Sequence, residues 1–337
     1  MNKKLKNLLM VTGAATLTAA AVYGLNKLDA KKDKKRYPQM GRMVEVRGKR
    51  MHVYTCGEGE NTIVMLTGHS TPTPSIDFRP LVSRLGASYK VVVPEPFGYG
   101  YSEHTSEPRT VENVVDEIRE GLRKAGMFPP YVLCGHSLGG INMLYWAAHY
   151  PREVAGVIGI DSTLPQQANM PLPMPKPIMK AMTFLSNITP IRLIIKAGML
   201  DSKLNAFAGG DKDLLPVLRS HMANSQMSST SNNELFAFSS NCAEVAGLNY
   251  PASCPVLMFV ASESQELVQN SSTYSFDWMA EHEKLAMHAF RGKCMMIEGG
   301  HFLHHTAAEE MANEIRAFFP AEEELLSAAA MASHKNH

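Results

Sequence analysis

Residues 131–140 read Tyr-Val-Leu-Cys-Gly-His-Ser-Leu-Gly-Gly. Four strand-forming residues, 131–134, run directly into Gly135-His136-Ser137-Leu138-Gly139, and a helix-like pattern follows over 141–150. Strand, sharp turn and helix in that order predict a Gly-x-Ser-x-Gly turn that holds a serine hydroxyl clear of the backbone at the end of a sheet strand. Small residues are needed on both sides of the serine, because a side chain at 135 or 139 would crowd the approach of strand to helix. The five-residue pattern by itself recurs by chance. Its place between a buried strand and a helix is what makes Ser137 a candidate nucleophile rather than a loop serine.

Outward from that turn, strand and helix signals alternate. Short strands are predicted at 43–47 and 51–54, joined as a hairpin across Gly48-Lys49-Arg50. Nearly all-apolar segments at 62–66 and 90–94 suit strands buried on both faces. Helical material is read over 77–85. A helix over 111–124 puts Val111, Val114, Val115, Ile118 and Leu122 on one face at three-and-four spacing. A strand at 154–160 ends at Asp161. From 162 to 250 the alternation stops, and Pro165, Pro171, Pro173, Pro175 and Pro177 interleave with Met170, Met174, Met179, Met182 and Met199. Helical runs are read there only near 178–185 and 213–222. Alternation resumes with a strand at 255–260, a helix at 276–287, a strand at 294–297 and a helix at 306–319. The pattern predicts one α/β domain made of 42–161 and 251–320, interrupted by a helical cap insertion at 162–250 and followed by a tail at 321–337.

Composition narrows the function classes. The 337 residues carry a net charge of +1, which gives no argument for a nucleic-acid partner. Cys56, Cys134, Cys242, Cys254 and Cys294 show no paired spacing and are read as free, buried thiols. Metal ligands do not cluster along the chain, so neither metal nor cofactor is expected. At the N-terminus, Lys3, Lys4 and Lys6 precede a mostly apolar run over 8–25, and Lys31-Lys32-Asp33-Lys34-Lys35-Arg36 follows it. A run near the ~20 residues that cross a bilayer predicts a single membrane anchor within 1–36, on a side that the basic flanks leave open. The alternative is a cleaved signal peptide of a secreted protein, since Ala19-Ala20-Ala21 offers small residues to a peptidase.

The chain resembles the α/β-hydrolase fold family, in its cap-bearing esterase and peptidase-like branch. The matching features are Gly135-His136-Ser137-Leu138-Gly139, the Gly68 loop after the 62–66 strand, Gly98-Tyr99-Gly100-Tyr101-Ser102, the insertion after Asp161, and Gly299-Gly300-His301. The resemblance implies a mostly parallel central sheet with helices on both faces and a helical cap insertion. It also implies a hydrolase acting on a small molecule, with an apolar acyl or alkyl group suggested by the Met-rich insertion. Carboxylic esters fit first and amides or N-terminal peptides second; a non-catalytic binding member of the fold is the third reading. Epoxide and haloalkane hydrolysis are disfavoured, because those relatives place an aspartate where Ser137 stands.

The same resemblance points to His301 as the base, by chain order and by its loop after a late strand, with His304 or His305 as substitutes. His136 sits in the turn, with its ring expected to point away from the base. The acid departs from the family pattern: the position of the usual aspartate holds Ser264. Asp161, at a rigid strand end, and Glu263, one residue from the usual place, are the two candidate acids, with Asp161 favoured. Backbone N–H groups of Leu138 and His69 are the expected oxyanion donors. Glu95 and the 98–102 loop are read as structural, with Tyr99 or Tyr101 at a pocket entrance.

Overall fold

The computed structural model describes residues 2–225 and 228–320, without the side chains of 3–9, 11, 13, 15 and 34. The tail expected at 321–337 lies outside the described residues. Eight strands form one sheet: β1 (Arg42–Val46), β2 (Lys49–Cys56), β3 (Thr62–Leu66), β4 (Lys90–Glu95), β5 (Tyr131–His136), β6 (Val154–Ile160), β7 (Val256–Ala261) and β8 (Gly292–Ile297). Their order is β1-β2-β4-β3-β5-β6-β7-β8. The β1–β2 hairpin pairs antiparallel with itself and with β4, and all other pairings are parallel. Parallel strands must be covered on both faces, which is why β4 and β7 read as apolar runs and are buried almost throughout.

Two apolar layers cover the sheet. On one face lie the helix Val111–Lys124, whose predicted stripe is buried, and the helix Gly139–His149. On the other lie Arg79–Leu85 and Ala308–Phe318. β3 and β5 are adjacent although β4 lies beyond β3, so the chain direction across the sheet reverses beside β5. Open α/β sheets bind ligands at the carboxyl ends of strands at such a switch point.

The segment expected as a single helix over 77–85 is two, Pro74–Asp77 and Arg79–Leu85, and that expected over 306–319 is Leu303–Thr306 followed by Ala308–Phe318. A helix, Ser262–Gln269, starts directly from β7, in a stretch to which the sequence reading assigned no element. Between β6 and β7 the insertion is more helical than its composition indicated, with Lys176–Ile188, Asp201–Ala208, Leu215–Ser225 and Ser229–Glu244. The last of these is rich in Ser and Asn, which favour turns in isolation. It is held by a Ser228 cap that accepts the Ser231 N–H and by burial of Phe238 and Cys242. The five cysteines are free, three buried and Cys56 and Cys294 half-buried.

The N-terminal segment forms one helix, Lys3–Arg36. Its later half docks on the insertion. Arg192 donates to Asp29 (2.9 Å) and Asp33 (2.8 Å), Lys196 reaches both carboxylates at 2.8 Å, and Ser220 donates to Asp33 at 2.7 Å. Asn26 donates to the Asn187 carbonyl at 3.1 Å. The expected membrane span is not supported: among the described residues no single helix is long and apolar enough to cross a bilayer. Part of the 8–25 run lies outside the described side chains.

Candidate active site

Ser137 follows β5 in the left-handed region, at φ 50°, a conformation that a non-glycine residue holds only when its surroundings impose it. Its carbonyl accepts the N–H groups of Gly140 and Thr163, both at 2.8 Å. The flanking glycines are required by contact: a Cβ at Gly139 would lie 2.1 Å from the Leu66 carbonyl oxygen, and one at Gly135 would lie 2.8 Å from that of Gly139. The helix Gly139–His149 thereby starts against the end of β3, and the serine is left at the tip of the turn.

Asp161 directly follows β6, next to β5 in the sheet, and also stands in the left-handed region, at φ 41°. Its backbone N–H donates to Phe259, which turns the side chain toward β7 and β8. His301 Nδ1 lies 2.6 Å from Asp161 Oδ2, and the carboxylate is fully buried. Three more donors surround it: Ser264 Oγ (2.5 Å), Trp278 Nε1 (2.9 Å) and the Ala261 N–H (3.1 Å). Burial pushes this carboxyl up, but the bonds from His301, Ser264 and Trp278 outweigh it and hold the group below the usual carboxylate range. Glu263 is exposed. Its carboxylate faces Gly300, 3.0 Å from where a Cβ would stand, and makes no hydrogen bond to His301.

The His301 ring is partly exposed, 40%, while its Nδ1 is committed to Asp161; Nε2 is therefore the nitrogen left to face the serine side. Among the described residues no hydrogen bond joins Ser137 Oγ to that ring, a spacing common in ligand-free sites, where such bonds tighten when substrate arrives. Beside the serine runs the loop after β3, where a Cβ on Gly68 would lie 2.9 Å from that of Ser137. Leu138 begins the elbow helix, and His69 follows Gly68, so both backbone N–H groups belong to segments that touch the nucleophile.

The other histidines have different partners. The His136 ring does not turn away from the base: it lies 4.6 Å from the His301 ring, centroid to centroid, and its Nε2–H donates to the His301 carbonyl at 3.1 Å. The close return of the 299–301 loop against the elbow, invisible in sequence, brings them together. Burial pushes the His136 pKa far down, which keeps this ring neutral. His304 and His305 both face the buried Asp77, at 3.2 and 2.8 Å. Asp77, His136 and His304, scattered in the chain, bring potential ligand atoms within 4.8 Å of one another. The cluster joins the Pro74–Asp77 helix to the loop of His301 through the pairs of Asp77 with His304 and His305 and the His136 bond to the His301 carbonyl.

Two contacts had no sequence signal. His69 uses its ring as well as its backbone: Nδ1 lies 2.8 Å from Glu234 Oε2, and the Tyr99 hydroxyl donates to the same oxygen. Glu234 is buried and comes from the insertion, 165 residues away from His69. Burial raises its pKa, but the bonds from His69 and Tyr99 hold it below the usual range. Tyr99 is therefore interior. Glu95 is also buried, accepting from Ser75 Oγ (2.8 Å) and the Tyr101 N–H (2.7 Å) and paired with His52 (3.0 Å). Those bonds fix the 98–102 loop, in agreement with a structural role.

A family model described as alpha/beta hydrolase fold matches residues 61–308. The chain is 39% identical over 127 residues to the uncharacterised protein YbdG of Bacillus subtilis, covering 38% of this chain and 39% of that one. It is 34% identical over 113 residues to a pimeloyl-[acyl-carrier protein] methyl ester esterase of Xanthomonas oryzae, covering 34% and 41%. The matches thus span about two-fifths of these relatives' length. The enol-lactonase of Burkholderia xenovorans superposes with a TM-score of 0.56 at 16% identity, over 82% of this chain and 99% of that one. The esterase and the enol-lactonase are hydrolases by name. Family pattern, strand order and elbow agree, and the chain belongs to the alpha/beta hydrolase fold family.

Proposed function

We propose that this hydrolase is a serine hydrolase that cleaves a carboxylic ester or related acyl bond through an acyl-enzyme on Ser137. The observation that carries the reading is the 2.6 Å contact between His301 Nδ1 and the buried Asp161 carboxylate, on the strand beside the elbow. Asp161 fixes the tautomer with Nδ1 protonated, so Nε2 offers its lone pair to the Ser137 hydroxyl. Ser137 Oγ attacks the acyl carbon while His301 takes its proton. The oxyanion meets the N–H groups of Leu138 and His69, a contribution of about 2.7–4 kcal/mol per donor in comparable sites. His301 then protonates the leaving oxygen, and water repeats the cycle to release the acid and free Ser137.

Support for an ester substrate comes from the methyl ester esterase among the relatives, and the Met-rich insertion favours an apolar acyl or alkyl group. Reaction with a fluorophosphonate tests the site: an adduct mapped to Ser137 by mass spectrometry is expected, and folded protein that takes up no probe overturns the reading. Turnover of nitrophenyl esters beside amino-acid nitroanilides separates ester from peptide hydrolysis. Attachment to a membrane through residues 1–36 is a further proposal, resting on the apolar run between basic flanks. Carbonate extraction of membranes tests it, and release of the chain into the wash removes it.

A further inference from the structure

A cavity of about 940 Å³ lies away from Ser137. None of Gly68, His69, Ser137, Leu138 and His301 lines it. It lies between the N-terminal helix, the helical insertion and the 100–104 loop, and its size is at the upper end of the roughly 300–1,000 Å³ of small-molecule sites. From the helix come Tyr23, Asn26, Lys27, Ala30 and Lys31, at the three-and-four spacing of one helical face, and Tyr37 follows it. The opposite wall carries Ile191, Ile195, Met199 and Leu200, and Tyr101 closes one side.

The walls are held in place. Asp33 is buried between Arg192, Lys196 and Ser220, and Asp29 accepts further bonds from Arg192 and Lys196, so the helix is fastened to the insertion by a charge network of which the Arg192–Asp33 pair is shielded from water. Tyr101 packs edge-on against His221, whose Nδ1 meets the Gly100 carbonyl at 2.9 Å.

Charge around this cavity is one-sided. The two acidic residues that line it are already paired, Asp33 with Arg192 at 2.8 Å and Glu103 with Arg50 at 3.0 Å. Lys27, Lys31 and Lys49 also line it, and none of the three has an acidic partner among the described residues. Lys27 rests over the Tyr23 ring, 5.3 Å from its centre. Lys27 and Lys31, four apart on one helix face, repel each other, which folding alone does not reward. Like charges around a concave, partly apolar space focus a positive potential into it.

We infer that this cavity is a second ligand site, separate from Ser137, for a single-chain amphiphile with an anionic head, such as a long-chain carboxylate. The head group neutralises Lys27, Lys31 and Lys49, and the chain lies along Ile191, Ile195, Met199 and Leu200. Occupancy does not depend on the chemistry assigned to Ser137.

Titration of full-length Ser137→Ala protein with the fluorescent fatty acid 11-(dansylamino)undecanoic acid tests the site. Saturable binding is expected, displaced by decanoate and not by decanol. Lys27→Glu combined with Lys31→Glu should raise the dissociation constant about tenfold or more, while Lys203→Glu, an exposed change of the same charge on the insertion, leaves it unchanged. Thermal melts confirm that each variant is folded. The inference is overturned by absence of saturable binding, by displacement with decanol as readily as with decanoate, or by equal affinity in the two sets of variants. It is also overturned if wild-type protein blocked at Ser137 by fluorophosphonate no longer binds the probe, since the probe then occupies the elbow site.

Discussion

Ser264 donates its hydroxyl to Asp161 Oδ2 at 2.5 Å, on the same oxygen that His301 Nδ1 meets at 2.6 Å. The residue that stands where the resemblance places an aspartate thus touches Asp161, the proposed acid, at the end of another strand.

Substitution at the three positions separates their roles. Asp161→Asn should lower kcat by about 10⁴, the loss seen for the equivalent change in serine proteases. Ser264→Ala removes one of several bonds to a charged group, about 1.5 kcal/mol or about tenfold in rate. Glu263→Gln should leave ester turnover unchanged. Steady-state kinetics on one nitrophenyl ester checks all three, and a loss confined to Glu263→Gln would reverse the assignment.

A carboxylate moved to position 264 should partly replace Asp161. In the Asp161→Asn background, Ser264→Asp is expected to recover at least tenfold in kcat, because the new carboxylate stands where a side-chain oxygen already borders the His301 partner. Ser264→Asp alone should be harmful, as two adjacent carboxylates cannot both ionise at low cost. Rates below those of Asp161→Asn in the double variant argue against position 264 as a working site for the acid.

The Asp161 carboxyl, depressed in the folded state, has a defined effect on stability against pH. Its contribution is complete above the ordinary carboxyl value of about 3.9 and is lost as pH falls through the lower folded value. The stability gap between wild type and Asp161→Asn, measured by urea unfolding, should be constant near neutrality and shrink in acid. A gap that widens on acidification contradicts the depressed value.

Glu234 ties the insertion to the loop beside Ser137. Glu234→Ala strands the buried Tyr99 hydroxyl and frees His69, an expected loss of about 1–3 kcal/mol in unfolding free energy. Ester turnover should fall more than stability accounts for, since the loop that offers the His69 N–H loses its anchor. Equal kcat in folded Glu234→Ala and wild type would leave Glu234 a purely structural residue.

Arg192→Ala should destabilise the docking of the N-terminal helix by on the order of 3 kcal/mol, because Asp33 stays buried with fewer donors. Hydrogen exchange along residues 20–36 is the direct measure. Unchanged protection there would mean that Lys196 and Ser220 suffice.

Much of the fold is legible locally. Apolar runs of strand length mark β3 through β8, and the glycines around Ser137 announce a turn that contact distances then require. The helix Ser229–Glu244 was missed because Ser and Asn carry no helical stripe; Phe238 and Cys242, buried against the body, stabilise it instead. The length of the N-terminal apolar run said nothing about Asp29 and Asp33, whose partners lie 163 and 159 residues away.

For the site, sequence alone pointed to Ser137 as the candidate nucleophile and, through the chain order of the resemblance, to His301 as the candidate base, because the elbow and the loop after a late strand are local patterns with local causes. Which carboxylate lies against His301, and what His69 does with its ring, were decided only by tertiary structure. Asp161 and Glu263 are both reasonable carboxylates on paper. Only the parallel register of β6 beside β7 turns Asp161 inward to His301, Ser264 and Trp278, while the helix that starts at Ser262 leaves Glu263 outside.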